Sequence, residues 1–141
     1  MAYTAERLFS IFSKTHGNCH ICHGRLVFPC YGVSDAERGG WEVEHSIPKS
    51  LGGTEHLNNL YPAHISCNRS KGKGSTRGAR AQYGLTRAPY SQAKKESIRD
   101  DNMMYGGMVG AIFGGLVAGP PGAAVGAALF GAAGRRTKVP R

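Results

Sequence analysis

Near the start of the chain, apolar Leu8, Ile11 and Phe12 fall at helical spacing behind Thr4, a residue type suited to capping. Residues 4–14, TAERLFSIFSK, are therefore expected to form a short helix with one apolar face. The run RLVF at 25–28 reads as a strand. Trp41, Val43 and His45 alternate with Glu42 and Glu44, the period-two pattern of a half-buried strand that runs into Ser46. Pro48 and Gly52-Gly53 interrupt it as a loop, and order resumes over Leu57 to Tyr61. Ala63 to Lys71 suits a short helix. Two strands and a helix within about 30 residues predict a ββα unit in an α+β domain.

Beyond residue 101 the pattern changes. Asn102 to Gly134 holds no charged side chain in 33 residues, and ten of the chain's 21 glycines fall there. Small residues recur four apart, at Gly106, Gly110 and Gly114, then Gly115 and Gly119, then Gly122 and Gly126. That spacing lets two helix backbones approach closely in an apolar setting. Pro120-Pro121-Gly122 divides the run into Met103 to Gly119 and Ala123 to Ala133, so a Gly-rich helical hairpin is expected, similar to glycine-zipper segments of bacterial membrane-associated proteins. At 1.5 Å per residue its arms rise about 25 and 16 Å, against roughly 30 Å of bilayer hydrocarbon. Membrane contact, self-association through 102–134, and a flexible tail are the three readings of this segment.

Composition adds a partner class. The 141 residues carry a formal net charge of +9. Residues 1–68 contribute −1, residues 69–99 contribute +8 and the remainder +2. A cationic block this concentrated points to a polyanion, either nucleic acid or an anionic membrane surface. The length excludes a multi-domain enzyme, and 40% hydrophobic residues exclude disorder throughout.

Four cysteines narrow the chemistry. Cys19 and Cys22 form a C-x2-C pair, and His64 and Cys67 repeat the spacing 45 residues later. The opening residues carry charge and histidine rather than the apolar run of a secretory signal. A cytoplasmic protein is expected, either membrane-associated or delivered into a target cell, so metal ligation is favoured over disulfides. Two N/S pairs match the closed tetrahedron of structural zinc. Cys30, His20 and His23 are alternative ligands that lack the paired spacing.

The ordered set EVEHSIPKSLGGTEHLNNLYPAHISCNRSKG resembles the core of the HNH, or ββα-metal, endonucleases, over roughly Cys19 to Gly72. The resemblance implies phosphodiester hydrolysis of DNA, RNA remaining open, with little sequence preference. His45 matches the general base, since an imidazole's ordinary pKa near 6.5 suits proton abstraction at neutral pH. Glu44 and Asn68 match the ligands of a catalytic Mg2+ or Mn2+, other divalent metals being open, and Asn59 matches the residue that braces the base-bearing loop. Lys71, three residues beyond Asn68, would meet a phosphate, and Arg69, Lys73, Arg77 and Arg80 would hold the strand.

The expected organisation is an N-terminal helix (1–16), an HNH core with a zinc knuckle (17–75), a basic DNA-contacting extension (76–101), the apolar hairpin (102–134) and a basic tail (135–141). Such a nuclease fits a delivered toxin with an immunity protein as partner, or a defence enzyme. The competing expectations are a zinc-stabilised nucleic-acid binder that no longer cuts and a membrane-associated adaptor.

Overall fold

The structure, a computed structural model, describes residues 3–34 and 38–136. They fall into two units, Met1–Gln92 and Ala93–Arg141. The boundary lies ahead of the expected 101/102 break because a helix that begins at Gln92 carries a polar first stretch into the apolar one. Residues 137–141 of the expected basic tail lie outside the described residues.

In the first unit, helix α1 (Ala5–Ser13) starts where Thr4 Oγ1 accepts from Arg7 N at 3.3 Å, the side-chain cap expected from the sequence. Its apolar face places Ile11 fully in the interior and sets Phe12 against Trp41, with ring centroids 5.2 Å apart. Strand β1 (Trp41–His45) pairs antiparallel with β2 (Leu60–His64), in a register that sets Trp41 opposite His64 and His45 opposite Leu60. Helix α2 (Ile65–Lys71) follows without a loop, and α3 (Thr76–Ala81) is capped by Ser75. The ββα unit is therefore present. RLVF, by contrast, makes only the single bridge Asn18↔Arg25 and ends in a short 3-10 turn at Phe28–Cys30. Its amides are used elsewhere: Leu26 N donates to Gly17 O and Val27 N to Gly39 O.

The core is thin. Cys19, Ile21, Leu26, Trp41, Ala63, Cys67 and Ala79 make up its buried cluster, and two of these are cysteines of the paired motif. A core of this size is the setting in which a metal staple matters for folding.

In the second unit, α4 (Gln92–Arg135) is helical throughout but doubles back on itself. A Cβ added at Gly110 would lie 2.1 Å from Gly126 O, one at Gly106 2.4 Å from Phe130 O, and one at Gly134 2.2 Å from Asn102 O. Each contact joins positions equidistant from residue 118, so the reversal falls there, next to Pro120 and Pro121. Proline supplies no N–H to the hydrogen-bond ladder, which accords with a reversal beside it. No helix among the described residues is long and apolar enough to cross a membrane.

Candidate active site and metal centre

The paired motifs meet. One ligand atom from each of Cys19, Cys22, His64 and Cys67 lies within 4.8 Å of the other three. The knuckle closes through Cys19 N to Gly24 O and His23 N to Cys19 O. Its amides turn inward on sulfur: Ile21 N and His64 N donate to Cys19 Sγ at 3.4 and 3.3 Å, and Gly24 N to Cys22 Sγ at 3.4 Å. His64 faces Cys22 Sγ with Nδ1 at 3.3 Å and Arg25 O with Nε2 at 3.2 Å. That second bond fixes the tautomer that leaves Nδ1 free to ligate. Hydrogen bonds from Cys19 and Cys22 push the Cys67 thiol down, while Cys22 and Cys67 push His64 up to about 10. A cation bound there would displace the proton from His64 Nδ1, and the donor set and spacing fit zinc. The alternative ligands lie outside the cluster. His20 turns to Glu44, His23 Nε2 to Arg87 O, and Cys30 is not among the four clustered groups.

His45 sits at the end of β1, and the loop after it is tightly specified. Gly52 adopts φ +84°, and a Cβ at Gly53 would lie 1.7 Å from Ile47 O, so no larger residue fits there without rebuilding the turn. Asn59, almost fully buried, spans the loop: Oδ1 accepts from Ile47 N at 2.7 Å, and Nδ2 donates to Ile47 O and Thr54 O, both at 3.0 Å. Asn58 makes none of these bonds. A cleft of about 380 Å³ lies against this loop, lined in part by Ser46, Thr54, His56 and Asn58.

Glu55, which the sequence marks only as an ordinary loop residue, holds the histidine. His45 Nε2 lies 3.1 Å from Glu55 Oε1, and Tyr3 donates its hydroxyl to Oε2 at 2.6 Å. Lys49 pairs with the same carboxylate, and Arg7 donates to the Glu55 carbonyl. Bonds from Lys49 and Tyr3, then from His45, hold the Glu55 carboxyl down to about 2, so it is an anion at any working pH. A carboxylate accepting from Nε2–H leaves Nδ1 as the basic nitrogen. No sequence motif marks Glu55. The only local sign is its place two residues beyond the Gly-Gly pair.

Three expected roles meet a different geometry. Glu44 is fully buried, with His20 Nδ1 2.9 Å from Oε2 and with Thr76 Oγ1 and Lys71 Nζ 2.8 and 3.2 Å from Oε1. Burial alone would raise its pKa, but the bonds from His20 and Thr76 and the charge of Lys71 outweigh it and hold the carboxyl below its ordinary value. Asn68 turns aside and donates from Nδ2 to Glu42 Oε1 at 2.8 Å. In this arrangement a buried ammonium neutralises the Glu44 carboxylate, and Asn68 Nδ2 is engaged by Glu42. Lys71 is the second. Its Nζ also donates to His45 O at 3.0 Å and its side chain is 2% exposed, so it faces the core and not a nucleic-acid strand. Arg80 is the third: Nε donates to His20 O at 2.8 Å and the guanidinium also contacts His20 Nε2, which makes it part of the same buried network. That contact requires His20 to be neutral with its proton on Nδ1, consistent with burial lowering its pKa. Arg69, Lys73 and Arg77 remain exposed.

The ion pair Lys71–Glu44 yields a direct prediction. Lys71→Met would strand a buried carboxylate and is expected to lower unfolding free energy by about 3–5 kcal/mol. Lys73→Met, two residues on and exposed, should stay within about 0.5 kcal/mol of the parent. Urea unfolding of the two variants checks this, and equal midpoints would disprove the inward placement of Lys71.

Residues 30–74 match the family model described as HNH endonuclease. The match contains β1, β2, α2, His45, Glu55, Asn59 and the His64/Cys67 pair. It leaves outside it the Cys19/Cys22 half of the metal cluster, the helix that reaches Glu55, and Thr76 and Arg80. No curated protein and no solved structure matches the chain.

Proposed function

We propose, from the HNH endonuclease domain at residues 30–74, that the chain hydrolyses phosphodiester bonds of DNA with His45 as general base and Glu55 as its positioning residue. The observation that carries this reading is the bond from His45 Nε2 to an anionic Glu55, in a loop braced by Asn59. It leaves His45 one basic nitrogen, in one tautomer, at the start of the loop that lines the cleft. A water held there would lose its proton to Nδ1 as its oxygen attacks phosphorus, and the leaving 3′-oxygen would take a proton from solvent.

A divalent cation belongs to the proposal on the family's chemistry, because such an ion offsets charge on the phosphate. Glu44 is not free to hold it in this arrangement, so no step is routed through it. Zinc at the Cys19, Cys22, His64 and Cys67 cluster is read as structural. All four protein ligands are supplied, which leaves no open coordination position for a reacting group.

Strand binding is assigned to the exposed Arg69, Lys73 and Arg77. Three phosphate contacts on duplex DNA imply a log–log salt slope of about −3, and Arg77→Ala should reduce it by about one. Such contacts position a strand without reading its sequence.

The test is supercoiled plasmid incubated with the full chain and Mg2+, Mn2+ or EDTA, beside a structured RNA. Nicking that EDTA abolishes, with RNA left whole, is the expected result. Plasmid that stays supercoiled with every metal yet shifts in a gel would replace the enzyme by a non-cutting binder.

A further inference from the structure

The C-terminal unit inverts the pattern of a water-soluble hairpin. Where its arms meet, glycine backbone faces backbone at Gly106, Gly110, Gly126 and Gly134. The large apolar side chains point away from that seam. Met104, Tyr105, Met108, Ile112, Phe113, Leu116 and Val117 are each more than half exposed, Val117 at 88%, and Val125 and Leu129 repeat this on the second arm. A soluble two-helix unit buries large residues between its helices. Small residues between helices with large apolar groups outside is the arrangement suited to lipid, where association depends on close backbone packing.

We propose that residues 102–134 insert, turn first, into the hydrocarbon of a lipid bilayer and leave through the same face, without crossing it. Three observations favour lipid over a second copy of the chain. The first is arc width. At 100° per residue, the exposed residues from Met104 to Val117 fan over about 220° of the helix. A partner helix covers a stripe of roughly 100°, and only a medium on all sides covers the rest.

The second is charge segregation produced by the fold itself. The hairpin brings both charged flanks to its open end, where Arg135 lies 3.7 Å from Asp100, and leaves the turn end without a formal charge. Residues 93–136 hold five cations (Lys94, Lys95, Arg99, Arg135, Arg136) against three acids, an excess suited to anionic headgroups.

The third is length and turn chemistry. Asn102 to residue 118 rises about 25 Å, too short to span and long enough to pass the midplane, which is the geometry of entry and exit through one face. Pro120 and Pro121 beside the reversal bring no backbone N–H, which limits the donors stranded in hydrocarbon where the chain turns.

The test is flotation of the full chain with vesicles of phosphatidylcholine and phosphatidylglycerol at 3:1. The parent should float, and the double variant Leu116→Glu, Val117→Glu should lose at least tenfold in partitioning at unchanged helical circular dichroism, since neither side chain touches the seam. In a Val117→Trp variant the added emission should be quenched by lipids brominated deep in the acyl chain, whereas Trp41, with no exposed surface, supplies an unquenched baseline. Absence of flotation overturns the proposal, with dimers in lipid-free sedimentation then identifying a second copy as the cover. Flotation that survives the tip glutamates, or that 0.5 M salt abolishes while the emission added by Val117→Trp stays unquenched, overturns it in favour of surface adsorption by charge.

Discussion

Cys67→Ser is expected to remove the cooperative fold of the N-terminal unit. Cys67 and Cys19 belong both to the metal cluster and to the buried core, so the centre of the domain and the cation share atoms. Structural zinc in comparable small sites contributes an apparent 10–16 kcal/mol, against a total stability of about 5–15 kcal/mol for an ordinary domain. Losing one ligand of four therefore outweighs whatever the remaining apolar contacts supply. The measurement is metal content, expected at one zinc per chain, together with Trp41 fluorescence, which should shift red as the ring leaves the interior. Equilibration with EDTA should reproduce the variant. Cys30→Ser is the control, since Cys30 lies outside the cluster and should change stability by no more than about 0.5 kcal/mol. Equal melting of the Cys67 and Cys30 variants would show that the cluster binds no structural ion.

His45→Ala should lower plasmid cleavage by about 10²–10⁴-fold, the usual contribution of a positioned general base. Glu55 then separates orientation from binding. In Glu55→Ala the ring loses its partner at Nε2, and misplacing a reacting group by about 1 Å commonly costs on the order of 10²-fold in kcat. KM should hold, because the exposed Arg69, Lys73 and Arg77 are untouched. Glu55→Gln retains an acceptor and should recover part of the loss. A purely structural Glu55 would instead lower the melting point of both variants alike and leave the kcat of the surviving folded fraction unchanged. If KM rises while kcat is preserved, Glu55 acts on the strand and not on His45.

The Cys3His cluster and the loop were legible in the sequence for a common reason. Each rests on residues whose spacing is itself the geometry: two C-x2-C-like pairs, and a Gly-Gly turn with an Asn a fixed distance behind it. The surroundings of Glu44 were not legible. Its partners His20 and Thr76 lie 24 and 32 residues away, and nothing local announces that three elements converge on one carboxylate. Lys71 misled for the opposite reason. Helical spacing puts it on the face of Asn68, but spacing alone does not say whether that face meets solvent. Here α2 packs on the Glu42 and Glu44 side of β1, so the ammonium is drawn inward. The strand expected at RLVF failed because its neighbours in space are single amide contacts from two loops and not a second strand. The hairpin was legible from Pro120-Pro121, whereas the outward aim of its large side chains needed the pairing of the two arms.

The tether between Tyr3, Arg7 and Glu55 has a practical side. Because Glu55, proposed to orient His45, is itself bound by Tyr3 and Arg7, a purification tag or fusion partner that disturbs Tyr3 would bear on the proposed base. A preparation tagged at that end and found inactive would then report on the tag. A cleavable linker, with nicking compared before and after its removal, turns the same tether into a reversible handle on the proposed activity.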